Sequence, residues 1–183
     1  MKIGLIGIGK IANYQMQAIS HTQGISLVDA HDLDPVRAEE LPGSVTFYED
    51  FDQLLKRSTA DAFLVSTPTP THFEVAMKVI EADRVAIVEK PLCISAEQED
   101  ALRTAATTRK LPLYTAFHPS YGREVEWWVE QREKKNFDLG KLIGFESCFA
   151  DPYFLNGELT LGAVGKAGAW IDGGASSLSI LAR

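Results

Sequence analysis

The first 118 residues predict an α/β fold, a doubly wound parallel sheet with helices on both faces, and three observations carry that prediction. Apolar, β-prone runs alternate with helix-patterned segments from Lys2 to Phe117. One of those runs, Ala62-Phe63-Leu64-Val65, is apolar without interruption, as a strand buried on both faces must be. The first run leads directly into a glycine turn and then a helix, the order in which parallel strand–helix units begin.

Each element has its own signal. Ile3 to Ile6 is the first strand, and the helix that follows from Ile11 carries Met16 and Ile19 at helical spacing. Gly24 punctuates before a second strand, Ile25 to Ala30. Asp34-Pro35 reads as a cap followed by proline at the first helical position, opening a helix over Val36 to Leu41. Val45 to Tyr48 is a short strand, and Asp50 caps a short helix through Leu54-Leu55. After Ala62 to Ser66, a helix starting near Thr69 or Thr71 presents Phe73, Ala76, Met77 and Ile80 on one face. Val85 to Val88 is a fifth strand. Ser95-x-x-Gln98 resembles a capping box for a helix over Ala96 to Thr107, and Leu111 to Phe117 is a sixth strand.

In such folds ligands bind beyond the C-terminal ends of the strands. The turn after strand one is Gly7-Ile8-Gly9-Lys10-Ile11-Ala12. Gly7 permits the sharp bend, Gly9 removes the side chain that would block a diphosphate, and Ala12 lets helix and strand lie close. The first helical amides lack intrahelical partners and sit at the positive end of the helix dipole, which suits an anion. Asp32 lies just past strand two, twenty residues beyond Ala12, where a carboxylate is expected on the adenosine ribose. Asp29 is nearer but falls inside the strand. His31, Leu33 and Asp34 surround Asp32 with no adjoining cation, so a 2′-phosphate would meet negative charge. The expected cofactor is therefore NAD rather than NADP.

Composition narrows the class. Of 183 residues, 45% are hydrophobic and 23% charged, an ordinary globular balance. The formal net charge of −7 argues against a nucleic-acid surface. No apolar run is long enough to cross a bilayer, and Met1-Lys2 enters strand one without a signal-peptide pattern. Cys93 and Cys148 stand far apart, and no metal-spaced cluster exists. A cytoplasmic protein without bound metal is expected.

Beyond His118 the pattern changes. Tyr121 to Lys135 reads as a helix with Val125, Trp128, Val129 and Arg132 near one face, and Gly140 to Ala150 as one long strand. A loop rich in glycine and proline precedes a helical stretch within Ala169 to Leu181. One strand does not make a sheet, so residues 119–183 read as the start of an incomplete α+β unit after a dinucleotide-binding domain at 1–118.

Glu89-Lys90-Pro91, with Thr67-Pro68 and His72 upstream and the glycine turn before them, carries a resemblance. The chain resembles the glucose–fructose oxidoreductase / inositol dehydrogenase / rhizopine-catabolism family of NAD(P)-dependent oxidoreductases. The segment Gly168-Ala169-Trp170-Ile171-Asp172-Gly173-Gly174 is similar to the family's substrate-side motif, and the surroundings of His118 and Asp172 lean toward its aldose 1-dehydrogenase branch. The resemblance implies a Rossmann domain, hydride transfer between nicotinamide and a sugar or polyol, and a second domain that often forms a homo-oligomer interface. It places Lys90 between nicotinamide and substrate as the proton-handling group; an amine withdrawn from water suits acid/base work, and a charged one polarises the reacting oxygen. Asp172 is the second catalytic candidate, as base or substrate orienter, or else a helix cap.

The other assignments keep two readings each. Glu89 touches the nicotinamide ribose or pairs with a cation. Thr67-Pro68 walls the nicotinamide or simply turns the chain. His72 contacts cofactor or caps its helix. His118 faces substrate or is structural, and Ser176 hydrogen-bonds the sugar or is a buried serine. The isomer of the Lys90–Pro91 bond is left open. Two departures stand out: only the first strand and the Asp172 helix of the second domain are present, and Ser176 stands where many members carry a histidine.

Overall fold

The computed structural model describes residues 1–134, 143–148, 154–155, 158–159 and 173–183. The chain divides into two compact units, Met1–Thr115 and Ala116–Arg183.

The first unit is a six-stranded sheet in the order β3-β2-β1-β4-β5-β6. Its strands are β1 (Lys2–Ile6), β2 (Ser26–His31), β3 (Thr46–Tyr48), β4 (Ala62–Val65), β5 (Val85–Glu89) and β6 (Leu113–Ala116). The pairs β1–β2, β1–β4, β2–β3 and β4–β5 are all parallel. The connections are α1 (Lys10–His21), α2 (Phe51–Arg57), α3 (His72–Glu81) and α4 (Ala96–Arg109). Strand order reverses between β1 and β4, so their C-terminal ends border the crevice where doubly wound sheets take ligands.

Alternation along β4 shows why an unbroken apolar run belongs here. Phe63 and Val65 join one core with Leu54, Ala76, Val79, Ile80 and Leu102, while Ala62 and Leu64 join another with Ile3, Leu5, Ile8 and Ala12. A period of two with helices on both faces buries every side chain. Gly4, opposite Phe63 in the ladder, supplies the room. A Cβ on Gly4 would stand 2.5 Å from the Phe63 ring.

The caps behave as their sequence implies. Asp34 accepts from the Val36 amide, Asp50 from Gln53, and Ser95 from Gln98. What Asp34 opens is a 3-10 helix over Pro35–Glu40. None of its residues is buried, so no core contact rewards a longer, better-bonded form.

The second unit holds a 3-10 turn, His118–Tyr121, then α5 (Arg123–Glu133), a β7–β8 pair (Phe154–Leu155 and Glu158–Leu159) and a helix at Ala175–Leu181 that packs on the turn. The expected long strand from Gly140 to Ala150 is not formed over its described part. Residues Ile143 to Cys148 have no regular structure, and Ile143 is 98% exposed. Strand propensity is local, but a strand exists only through a partner's hydrogen bonds. The ends of that stretch, and Ala169 to Asp172, lie outside the described residues. Among the described residues no helix is long and apolar enough to cross a membrane.

Candidate functional site

Four strand ends bring the candidate residues of the first unit to one edge of the sheet: Gly7 to Gly9 after β1, Asp32 after β2, Ser66 to Pro68 after β4, and Glu89-Lys90 at β5.

Gly7 is required twice over. Its φ is +90°, and a Cβ there would lie 2.8 Å from the Ser66 carbonyl and the Thr67 nitrogen. The tight passage of β1 beside the end of β4 thus leaves no room for a side chain. Gly9 is different: its backbone is extended, and a Cβ would meet nothing within 4 Å. Neither strain nor protein packing demands glycine there. Gly9 opens α1 without a side-chain cap, and the first turn of that helix has no acidic residue. No side chain of that turn therefore caps its leading amides. Ala12 is fully buried against the Ile3 and Leu5 layer, giving the close helix–strand approach its size implies. Ile8 is buried in the same layer, Ile11 is half-buried, and Lys10 is exposed.

Asp32 is tied into the chain by both of its oxygens. Its Oδ2 accepts from the Ile8 amide at 2.7 Å and its Oδ1 from the Asp34 amide at 2.9 Å. The carboxylate braces the glycine turn, and each oxygen keeps a further acceptor direction for a diol. Asp29 is committed inward, accepting from the Ser58 hydroxyl at 2.6 Å and the Thr59 amide at 3.2 Å. The nearest downstream cation, Arg37, is held by Glu40 at 2.5 Å and Asp34 at 3.8 Å. The hydrogen bond to Glu40, and then its charge, make that guanidinium still harder to deprotonate. It is thus already engaged by carboxylates.

At the β4 and β5 ends a hydrogen-bonded chain appears. The Ser66 hydroxyl donates to Gln15 Oε1 at 2.6 Å, and Gln15 Nε2 donates to Glu89 Oε1 at 2.7 Å. Glu89 Oε2 accepts from the Lys90 amide at 3.1 Å. Glu89 is buried, and its side-chain donor here is the neutral amide of Gln15. Lys90 is half-buried and joined to Pro91 through a cis peptide bond.

His72 is 1% exposed, with Nδ1 2.7 Å from the Pro91 carbonyl and Nε2 2.8 Å from the Thr67 carbonyl. Both nitrogens are spent on backbone, which leaves neither of them for a cofactor. It ties the turn after β4 to the turn after β5. Thr67 is half-buried and Pro68 exposed, and the Thr71 hydroxyl closes this turn at 2.9 Å from Thr67 Oγ1 and 2.8 Å from the Pro68 carbonyl. Cys93 lies just beyond; burial pushes its thiol pKa up, and its Sγ is 3.4 Å from the Ser95 carbonyl.

The remaining candidates belong to the second unit. His118 is exposed at the start of the 3-10 turn. Ser176 is 0% exposed. Asp172 lies outside the described residues.

Sequence reasoning missed Gln15 and Gly4. For Gln15 a signal existed: it sits among Ala12, Met16 and Ile19 on the core-facing stripe of α1, where a carboxamide needs a partner.

A parallel sheet of order 3-2-1-4-5-6 with an open glycine turn at its strand reversal and a carboxylate after β2 defines a dinucleotide-binding protein. The comparisons carry this further. Residues 1–117 match the model of the glucose–fructose oxidoreductase / inositol dehydrogenase / rhizopine-catabolism family, described as an oxidoreductase family with an NAD-binding Rossmann fold, and the chain belongs to that family. Inositol 2-dehydrogenase of Rhizobium meliloti (strain 1021) is 27% identical over 119 residues, which are 64% of this chain and 36% of that protein. UDP-N-acetylglucosamine 3-dehydrogenase of Acidithiobacillus ferrooxidans is 33% identical over 118 residues, 62% of this chain and 36% of the relative. Among solved structures, the WlbA dehydrogenase from Bordetella pertussis, in complex with NADH and UDP-GlcNAcA, matches with a TM-score of 0.65 and 23% identity. That match covers 74% of this chain and 40% of the other. The chain thus spans little more than a third of the length of these two curated relatives.

Proposed function

We propose that the protein is an NAD-dependent dehydrogenase of a sugar or polyol carbinol, and that this chain carries its cofactor domain together with Lys90. The observation behind the reading is the placing of Glu89-Lys90 at the end of β5, next to β4, whose own end presses on Gly7.

Bound NAD supplies the acceptor for the hydride that leaves the carbinol carbon. The chain's residues do the rest. The first-turn amides of α1 hold the diphosphate, and Asp32 takes the adenosine ribose diol. Glu89, immobilised through both oxygens, receives the hydroxyls of the second ribose. Lys90 takes or shares the proton of the reacting hydroxyl, so that loss of hydride leaves a carbonyl. Both curated relatives are named for oxidation at a ring carbon, position 2 in one and position 3 in the other, which supports a secondary carbinol at least as well as C1 of an aldose.

The test is to titrate the protein with NADH and then follow NAD reduction across aldoses and cyclic polyols. Lactone products mark C1 oxidation and ketones mark a secondary position. Lys90→Ala is expected to reduce turnover by roughly 10²- to 10⁴-fold while NADH still binds; undiminished turnover sinks the proposal. A second reading, an NAD-binding module without turnover, is favoured by the full burial of Ser176 at the family's histidine position. Its signature is NADH affinity with no product from any sugar or polyol.

A further inference from the structure

We infer that Gln15 is a positioning residue of the cofactor site, one that fixes the Glu89 carboxylate against the end of β4 and so governs the nicotinamide half of the dinucleotide, not its adenosine half. The inference rests on the NAD reading above and adds a residue to it.

Gln15 is half-buried on α1, three residues after Ala12, and the two ends of its carboxamide go to different strands. Nε2 reaches Glu89 at the end of β5, and Oε1 reaches Ser66 after β4. The chemistry leaves one arrangement. A carboxylate accepts and does not donate, so it must face the NH2 end of the amide. The carbonyl end then falls to Ser66, whose hydroxyl is the donor. Amide orientation and hydroxyl direction are both set by Glu89.

The consequence for Glu89 is immobility. One oxygen takes the Gln15 amide and the other the Lys90 backbone amide, so the carboxylate cannot turn without breaking a bond. The acceptor directions that remain are fixed before any ligand arrives. A carboxylate so held suits a vicinal diol, which offers two hydroxyl donors.

The helix that carries Gln15 also presents its first-turn amides at Gly9. Six residues separate Gly9 from Gln15, about 9 Å along the axis at 1.5 Å per residue. One rigid element thus holds the diphosphate and, about two turns on, the group that orients Glu89. Glu89 is 74 positions from Gln15 in sequence, so only the folded sheet creates the pairing.

A residue that merely fills space would act on all ligands alike, and this separates the two roles. NADH reaches both halves of the site, whereas ADP reaches only the adenosine and diphosphate half. Affinities of both would be measured by calorimetry for the wild type, Gln15→Met and Ser66→Ala, with a thermal melt of each. Gln15→Met keeps the length of the side chain and removes both hydrogen bonds. It is expected to weaken NADH about tenfold, or about 1.4 kcal/mol, with ADP changed less than twofold. Ser66→Ala releases the carbonyl end alone and should lower the NADH-to-ADP affinity ratio in the same direction by a smaller factor. A ratio unchanged in Gln15→Met, whether both affinities hold or fall together, overturns the inference. If Gln15→Met does not fold, the ratio in Ser66→Ala decides by the same criterion. A wild-type protein that binds neither ligand instead overturns the NAD reading beneath it.

Discussion

The two units of this chain put similar apolar side chains to opposite use. In Met1–Thr115, Phe63 is 0% exposed between the sheet and the helices over it, and Leu5, Leu54 and Ile80 are equally enclosed. In Ala116–Arg183, Trp127 is 54% exposed, and Trp128, Phe145, Leu178 and Leu181 also face water; Val129 is the hydrophobic residue buried there among those described. The difference teaches that apolar content does not by itself make a core. A strand in a parallel sheet offers two faces to two layers. α5 has one stripe, and among the described contacts Arg132 lies over the Trp128 ring at 4.8 Å while Arg183 is bonded to Glu126 at 2.6 Å.

The contrast can be broken by substitution. Phe63→Ala is expected to destabilise the first unit by roughly 3–5 kcal/mol, since it empties a site with no exposure; a urea midpoint that hardly moves would deny the core its centre. Gly7→Ala comes next, at roughly 1–3 kcal/mol for a side chain forced to positive φ. It should also abolish NADH binding, because the turn must shift away from Ser66. Asp32→Ala is expected to weaken NADH about tenfold or more, as the ribose acceptor and the brace on Ile8 are lost together. Unchanged affinity in a titration would reassign the carboxylate. At the small end, Trp127→Ala should alter stability by no more than about 0.5 kcal/mol, and a core-sized loss would erase the distinction between the units.

Thiol chemistry sharpens the same comparison without a mutation. Cys148 is exposed and Cys93 half-buried, with burial raising the pKa of the Cys93 thiol. At neutral pH an alkylating reagent should modify Cys148 first. Because a raised pKa leaves less thiolate at a given pH, modification of Cys93 should climb at higher pH than that of an ordinary cysteine. Equal rates, followed by mass spectrometry, would contradict this.

Much of the first unit was legible in the sequence because its signals are local. Gly7, Gly9 and Ala12 lie within one turn, Asp32 follows the next strand, and the caps at Asp34, Asp50 and Ser95 act over two or three residues. What escaped depends on distant partners. Whether His72 meets a cofactor is decided by the carbonyls of Thr67 and Pro91, and the role of Gln15 by a carboxylate at Glu89. Gly4 reads as an unremarked strand glycine until Phe63 lies across it. The error at Ile143 to Cys148 has the same origin, since β-prone residues announce a strand but not the neighbour that would complete it.

The span from Gln15 to Glu89 also bears on synthesis. A nascent chain that has left the ribosome only as far as β4 already has its glycine bend and its Asp32, yet the carboxylate that Gln15 must grip is still inside the exit tunnel. Dinucleotide added to stalled chains of increasing length should therefore be retained fully only once the fifth strand has emerged, which makes the cofactor itself a reporter of how far this domain has been born.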